Sequence, residues 1–219
     1  METEFWHLIG RGVEKRDIVL DEEDRVRFMH DLYVFNDANP TLNFILPGRH
    51  DSVRPRKLLV DIHIFCLMNN HYHLLVTERV EGGIALFMKK LNMGYAKYFN
   101  EKYERSGSLW QGKYRKVQIV RDAHFLYVPF YIHLNPLDYV MPEWRKGEVK
   151  DVHGALEELG AYRWSSYLDY TGKHNFPSIT RRDILSDIIG SPADHARTIA
   201  SIIGDADLAE GSAFLEFKN

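Results

Sequence analysis

The chain has 219 residues, a formal net charge of −3 and 45% hydrophobic residues, which suits one domain with extensions or one domain with a small appendage. No apolar run approaches the roughly 20 residues that span a bilayer, and acids stand near the N-terminus where a signal peptide would carry lysines. The lone cysteine, Cys66, excludes an intrachain disulfide, so we expect a cytoplasmic protein that does not bind a membrane.

The first predicted elements are a strand and a helix. Residues 5–10 predict the strand, and a loop follows it. Residues 21–35 predict the helix, because Asp21 can cap its first turn and Val26 and Met29 recur at helical spacing.

A hairpin is predicted after an irregular segment at residues 36–56, which is rich in proline and glycine. Residues 58–66 and 71–78 predict two strands. Asn69 and Asn70 stand between them and tolerate the positive φ that a two-residue turn demands.

The register of this hairpin pairs Cys66 with His73. His71 and His73 then share one face of the sheet with Cys66, while His63 points to the other face. Two imidazoles that are two residues apart on a strand can chelate one metal ion. Because the chain has 11 histidines, such a pair also arises by chance, and it does not identify a metal site alone.

Further helices and a strand follow the hairpin. Residues 81–103 predict an amphipathic helix, residues 116–120 a strand, and residues 122–135 a third helix that ends before Pro136. From residue 179 to the end, the pattern is again helical. This order of elements predicts an α+β fold, in which an antiparallel sheet carries helices packed mainly on one face.

Cations alternate with aromatic residues over residues 89–116. This pattern is typical of a surface that follows a nucleic-acid backbone and stacks bases on its rings. A solvated helix face over core tyrosines would have the same pattern, and the alternative stays open. The cations are Lys89, Lys90, Lys97, Lys102, Arg105, Lys113, Arg115 and Lys116, and the aromatic residues are Tyr95, Tyr98, Tyr103, Trp110 and Tyr114.

Tyr131 and Asn135 form a second candidate pair, on the third predicted helix. Residues four apart lie on one helix face, so the phenol and the carboxamide point the same way. The Asn135 oxygen can complete a metal site with two histidines. A half-buried tyrosine and a helix-terminal asparagine are the structural alternatives.

Residues 64–76 followed by residues 131–136 strongly resemble the HUH single-tyrosine transposases, which include the IS200-like transposases. The resemblance is closest to the REP-associated tyrosine transposases and extends from about residue 5 to residue 172. Further matches are His7, the Gly10-Arg11-Gly12 loop, residues 106–114 and residues 164–167.

The resemblance implies a ferredoxin-like or RRM-like core, which we place at residues 1–145. From the sequence pattern we expect residues 146–219 to form a mostly helical C-terminal extension. The resemblance also implies that His71 and His73 bind Mg²⁺ or Mn²⁺, with Asn135 as the third ligand. Tyr131 would then be the catalytic nucleophile.

The implied activity is that of a metal-dependent endonuclease and strand transferase for single-stranded DNA, of the kind used in transposition and recombination. It would proceed through a 5′-phosphotyrosine on hairpin DNA formed by palindromic repeats, in the cytoplasm and associated with the nucleoid. Relatives act as dimers or alone, so a homodimer stays open. Candidate DNA-binding residues are Arg11, Arg16, Lys89, Lys90, Lys97, Lys113 and Arg115.

Two departures from the family pattern concern Asn69, where relatives often carry proline, and the third helix, which holds Pro129 and Tyr127. Tyr127 precedes Tyr131 by one turn, so it is either a second nucleophile, a decoy or a core residue.

Three alternatives from other classes remain. An RRM-like module would bind single-stranded nucleic acid without catalysis. A phosphodiesterase would use activated water and release free DNA ends. A structural zinc site would involve histidines together with Cys66.

Overall fold

The structure is a computed structural model that describes residues 3–39, 55–120 and 122–209. Most of the predicted irregular segment and the last residues of the predicted C-terminal extension lie outside this description. Four strands form one sheet in the order β2-β3-β1-β4, and every neighbouring pair is antiparallel. The strands are β1 (Phe5–Arg11), β2 (Val60–Leu67), β3 (His71–Glu78) and β4 (Arg115–Ile119).

Helices connect and follow these strands. The order β1-α1-β2-β3-α2-β4 together with this strand order is the ferredoxin-like arrangement, which confirms the predicted α+β class. Among the helices that the structure describes, none combines the length and the hydropathy that a membrane span requires. The helices are α1 (Glu22–Val34), α2 (Gly83–Lys102), α3 (Asp122–Leu134), α4 (Val152–Ala161), α5 (Tyr167–Tyr170), α6 (Ser186–Ile189), α7 (Pro192–Gly204) and α8 (Ala206–Ala209).

Helices cover both faces of the sheet. On one face, α1 and α2 pack against Leu8 and Leu74. On the other face, α3, α4 and α7 share a core with Ile64 and Leu75. The prediction of helices mainly on one face is therefore correct for α1 and α2 but wrong for the whole chain. The physical reason lies in β2, which is buried at every position and so presents apolar groups to both layers.

The hairpin has the predicted register, with Cys66 opposite His73. His63 does not point away from these residues, however. A bulge between Ile62 and Ile64 shifts the strand by one residue, and His63 consequently bonds the Thr77 hydroxyl on the same face as His73.

The turn of this hairpin differs from the prediction, because neither Asn69 nor Asn70 has a positive φ. Groups outside the hairpin hold the turn instead. The Gly12 amide donates to the Asn70 carbonyl at 2.8 Å, and the Ile18 amide donates to the Asn69 carbonyl at 2.7 Å.

The residues after 145 are mostly helical, as predicted. They complete the second core, which is the core shared by α3, α4 and α7 on the face of Ile64 and Leu75. Leu159, Ile199 and Ile203 pack in one cluster with Ile64 and Tyr131. Both sides of the predicted boundary thus contribute to a single core, and the division into residues 1–145 and 146–219 stays a prediction.

Candidate active site

His71 and His73 lie side by side at the end of β3 that follows the hairpin turn. Their ring centroids are 4.9 Å apart. The side chain of His73 is buried, and its Nε2 atom has no hydrogen-bond partner. A buried polar atom without a partner is costly in a folded protein, so this nitrogen fits a ligand that the protein alone does not supply.

A third histidine, His7, belongs to the same cluster, although it was not among the predicted site residues. Its Nε2 atom lies 2.9 Å from Nδ1 of His73, and the two rings stack with centroids 5.1 Å apart. The pairing of Ile9 with His73 puts both histidines on one face of the sheet. The sequence does show His7 at an alternate position of β1, but it does not show which strand pairs with β1.

Tyr131, on α3, packs against these imidazoles. Its ring centroid lies 5.7 Å from that of His73 and 6.2 Å from that of His7. The side chain is only 2% exposed, yet its surroundings are polar as well as aromatic. The structure therefore brings the predicted nucleophile and the predicted imidazole pair together from distant segments.

Asn135 follows the last turn of α3 and is fully buried. Its Nδ2 atom donates to the Tyr131 carbonyl at 2.8 Å. Its Oδ1 atom, the predicted metal ligand, accepts from Nη2 of Arg145 at 3.4 Å. This oxygen has a second lone pair that a metal could use, and the role of Asn135 as a ligand stays a prediction.

Arg145 is a second site residue that the sequence did not reveal. Its Nε and Nη2 atoms donate to the two Asp138 carboxylate oxygens, at 2.9 Å and 2.6 Å. The guanidinium carbon lies 5.5 Å from the centre of the Tyr131 ring, and the group hydrogen-bonds the Tyr131 side chain. Residues 135–146 form two short 3-10 turns that bring Arg145 back over α3. Helical periodicity in the sequence does not predict that the chain turns back after α3 and places Arg145 next to Tyr131.

Burial keeps all three imidazoles neutral. Burial, followed by the charges of Arg11 and Arg145, lowers the pKa of His71 to about 3. The pKa of His7 is lowered to about 3, mainly by burial and then by Arg115. The pKa of His73 is also far below its usual range, with burial as the largest cause. Neutral imidazole is the form that binds metals.

The imidazole pair fits a divalent ion only in part. The unpartnered Nε2 of His73 and the neighbouring His71 suit two positions of a site. Within the described ranges, however, no group of three histidine, cysteine, aspartate or glutamate side chains is arranged to hold a metal. The remaining ligands would have to come from Asn135, water or a phosphate oxygen. Burial raises the pKa of the Cys66 thiol, which disfavours the thiolate that a zinc site would use.

The predicted DNA-binding residues divide between the two faces of the sheet. Arg115 pairs with Ile9, which is on the same face of β1 as His7, and its charge lowers the pKa of His7. Arg115 therefore lies on the face of the sheet that Tyr131 covers. Arg11 ends β1 on the same face and is half-buried. Arg16 and Lys113 are exposed in loops.

Lys89, Lys90 and Lys97 lie on α2, which packs on the opposite face. Lys90 donates to the Asp37 carbonyl, and Lys97 lies 3.6 Å from Glu101. These three residues do not converge with Tyr131.

The aromatic residues of the basic segment belong largely to the core. Tyr95 is fully buried and donates to the Ile18 carbonyl at 2.7 Å, and Trp110 is 9% exposed. The alternative of a helix face over core tyrosines therefore describes this segment. Tyr127 is half-buried against the second core, with its ring 6.4 Å from that of Tyr131.

Comparison with known proteins gives one family match. The family model described as "Transposase IS200 like" matches residues 55–135. This window runs from before β2 to Asn135 and contains His71, His73 and Tyr131. His7 and Arg145 lie outside it.

Among solved structures, the chain is similar to one described as "Structure of the REP associates tyrosine transposase bound to a REP hairpin". The sequence identity is 12%, the TM-score is 0.45, and the similarity covers 84% of this chain and 88% of that chain. No curated protein matches the sequence.

Proposed function

We propose that this chain, whose residues 55–135 match the family model described as "Transposase IS200 like", cuts and rejoins single-stranded DNA with Tyr131 as its nucleophile. The observation that carries the proposal is the position of Tyr131, whose ring lies 5.7 Å from that of His73. A phenol, two imidazoles and an arginine thus meet in one cluster, and these groups suit transfer of a phosphoryl group.

The reaction exchanges one phosphodiester bond for another. The Tyr131 oxygen forms a bond to phosphorus while the bond between phosphorus and the 3′ oxygen breaks. The phenol proton ends on that 3′ oxygen, which leaves a 5′-phosphotyrosine and a free 3′-hydroxyl. Because the bond energy is conserved in the adduct, attack by another 3′-hydroxyl rejoins the strand without a further energy source.

His71 and His73 are the residues that would hold a divalent ion, with Asn135 as the third ligand. Mg²⁺ or Mn²⁺ bound there would polarise the scissile phosphate and balance its negative charge. Arg11 and Arg145 raise the electrostatic cost of a cation at this place, since they already lower the pKa of His71. We therefore expect the ion and the DNA phosphate to bind together.

Hairpin DNA with single-stranded flanks is the proposed substrate, as the family resemblance implies. The cations on the face of Tyr131 are candidates for backbone contacts, above all Arg11 and Arg115. Phosphate contacts fix the position of the strand and do not specify its sequence.

The RRM-like alternative is disfavoured by the helices on both faces. An RRM binds bases on an exposed sheet surface. Here α3 and the C-terminal helices cover the face that bears the histidines, and α1 and α2 cover the other. In the described part of the chain, β2 has no exposed residue that would stack a base.

Covalent capture of DNA tests the proposal. The substrate is a library of 3′-labelled oligonucleotides, in which an imperfect hairpin is flanked by randomised single strands, supplied with Mn²⁺. We expect a labelled band at the mass of the protein on a denaturing gel. Tyr131→Phe should abolish the band, and Tyr127→Phe, one helical turn away, should retain it.

Other outcomes contradict the proposal in distinct ways. An adduct that survives in Tyr131→Phe excludes Tyr131 as the nucleophile. Cleavage without an adduct would identify a hydrolase that uses activated water. Binding without cleavage would identify a non-catalytic module.

A further inference from the structure

We propose that Arg145 is a further catalytic residue of this reaction, which holds the Tyr131 hydroxyl before attack and then binds the scissile phosphate. The inference rests on the proposed function and adds a residue outside the matched segment, residues 55–135. Its basis is the contact of one guanidinium with the Tyr131 side chain, the Asn135 amide oxygen and a carboxylate.

Asp138 fixes the orientation of Arg145. The two carboxylate oxygens accept from Nε and Nη2, so one edge of the planar guanidinium is held by a paired contact. Nε1 of Trp144 donates to the same carboxylate at 2.8 Å, and the Arg145 guanidinium stacks 4.6 Å from the Trp144 ring centre. These contacts pre-organise the cation over Tyr131.

The contact with Tyr131 separates this arrangement from an ordinary ion pair. A partly exposed arginine–carboxylate pair alone contributes little to stability. Arg145 and Asp138 are 24% and 27% exposed, however, while Tyr131 beneath them is 2% exposed. The cation therefore acts on a hydroxyl that is largely shielded from water, where electrostatic interactions are stronger.

The role follows from the movement of charge during attack. As the bond from the Tyr131 oxygen to phosphorus forms and the bond to the 3′ oxygen breaks, negative charge is spread over the phosphate oxygens. A guanidinium placed at the attacking oxygen stabilises this charge. It stays charged throughout, since arginine does not lose its proton in proteins, and the phenol proton passes to the 3′ oxygen.

The 3-10 turn that carries Arg145 also covers Tyr131, because the Trp144 ring lies 6.0 Å from the Tyr131 ring. A phosphate must reach the hydroxyl beside Arg145. We therefore expect the guanidinium to exchange its 3.4 Å contact with Asn135 for a phosphate oxygen as Tyr131 attacks, and not in the initial complex with DNA.

The test is the single-turnover rate of adduct formation with the same DNA library and Mn²⁺. We expect Arg145→Gln to lower this rate roughly 100-fold while the affinity for DNA changes by less than about threefold. Arg145→Lys should recover only part of the rate, because an ammonium lacks the planar fork. Asp138→Asn should give an intermediate rate, because it loosens the guanidinium without removing it.

Arg181→Gln is the matched control. Arg181 also bonds a carboxylate in a paired manner, through Nε and Nη2 to Asp183, but it lies near Asp61 at the opposite end of β2 from the hairpin turn. We expect its adduct rate to equal that of the wild-type chain.

The possible failures are distinguishable. An Arg145→Gln rate within about threefold of wild type would overturn the role of Arg145 and leave the proposed function intact. A rate lost in proportion to DNA affinity and thermal stability would show that Arg145 is structural and also overturn the role. Absence of an adduct with the wild-type chain would overturn both proposals.

Discussion

The Nε2 atom of His7 lies 2.9 Å from the Nδ1 atom of His73. This contact has two possible proton arrangements. Only when His73 donates from Nδ1 to His7 does the Nε2 atom of His73 keep a lone pair for a metal. His7 then carries its own proton on Nδ1. Binding of a metal at His73 would thus select one tautomer, in which His7 is the hydrogen-bond acceptor.

Replacement of His7 tests this relationship through metal affinity. We expect His7→Leu to weaken Mn²⁺ binding by roughly 10- to 100-fold, as is usual when the hydrogen-bond partner of a metal-ligating histidine is lost. His7→Gln, whose side-chain oxygen can still accept, should weaken it less. Titration of the DNA-bound protein, followed by the electron paramagnetic resonance of free Mn²⁺, measures the affinity.

His63→Gln is the control for this measurement. His63 is also fully buried on a strand, but it bonds the Thr77 hydroxyl and the Arg181 carbonyl. Its replacement should leave Mn²⁺ affinity unchanged. Equal Mn²⁺ affinity in His7→Leu and the wild-type chain would exclude the orienting role of His7.

The difference between the predicted and the missed site residues has a physical explanation. The pairing of His71 with His73 on one face could be predicted because their spacing is local to one strand, whereas Tyr131 was singled out by the family resemblance, since α3 is apolar on all sides and contains Pro129. His7 and Arg145 depend on the β1–β3 register and on two 3-10 turns. Both are long-range consequences of packing that the local pattern does not encode.

The long-range features of the fold were also not predictable from the local sequence pattern. Local sequence patterns, which include caps and prolines as well as periodicity, were sufficient to locate the four strands of the described residues and the first three helices. The strand β2 is buried on both faces, even at Asp61 and His63, and its composition does not indicate which helix covers which face. The bulge at His63 is equally invisible, since it inserts one residue without changing the composition of the strand.

The salt dependence of DNA binding should distinguish the two faces of the sheet. Arg115 is on the face of Tyr131, and Lys97 is on α2 behind the sheet. We expect Arg115→Ala to reduce the slope of log affinity against log salt by about one ion. Lys97→Ala should keep the wild-type slope. A larger loss of slope in Lys97→Ala than in Arg115→Ala would place the DNA on α2 instead.

Gly10 should not tolerate a side chain. A Cβ atom there would lie 2.4 Å from the Tyr72 ring and hydroxyl. Tyr72 has little room to move, because its hydroxyl donates to Asn92 at 2.7 Å and its ring packs on Trp110. We expect Gly10→Ala to lower the free energy of unfolding by about 1–3 kcal/mol, measured by urea denaturation.

Gly160→Ala is the matched control for this substitution. It lies in α4, and a Cβ atom would meet nothing within 4 Å. Alanine there should raise the free energy of unfolding by about 0.5–1 kcal/mol, because glycine is a poor helix former. A Gly10→Ala variant as stable as the wild type would contradict the close approach of Tyr72.

A second pair of buried histidines ties α7 to α3. Nε2 of His195 lies 3.0 Å from Nδ1 of His133, whose Nε2 lies 2.8 Å from the Ser166 hydroxyl. Both imidazoles are fully buried. Burial lowers the pKa of His195 from 6.5 to about 4, so the folded state holds this ring neutral where the unfolded chain would protonate it.

Because of this difference in pKa, the free energy of unfolding decreases as the pH is lowered. The unfolded chain binds more protons between its pKa of 6.5 and the folded pKa of about 4, so stability is full above this window and is lost as the pH falls through it. For His195 alone, the loss between pH 7 and pH 5 is about 2 kcal/mol. His195→Gln should therefore shrink the pH dependence of urea unfolding by this amount, while His174→Gln, at an exposed histidine, should not. An unchanged pH dependence in His195→Gln would mean that His195 is already charged in the folded protein, which its contact with His133 does not favour.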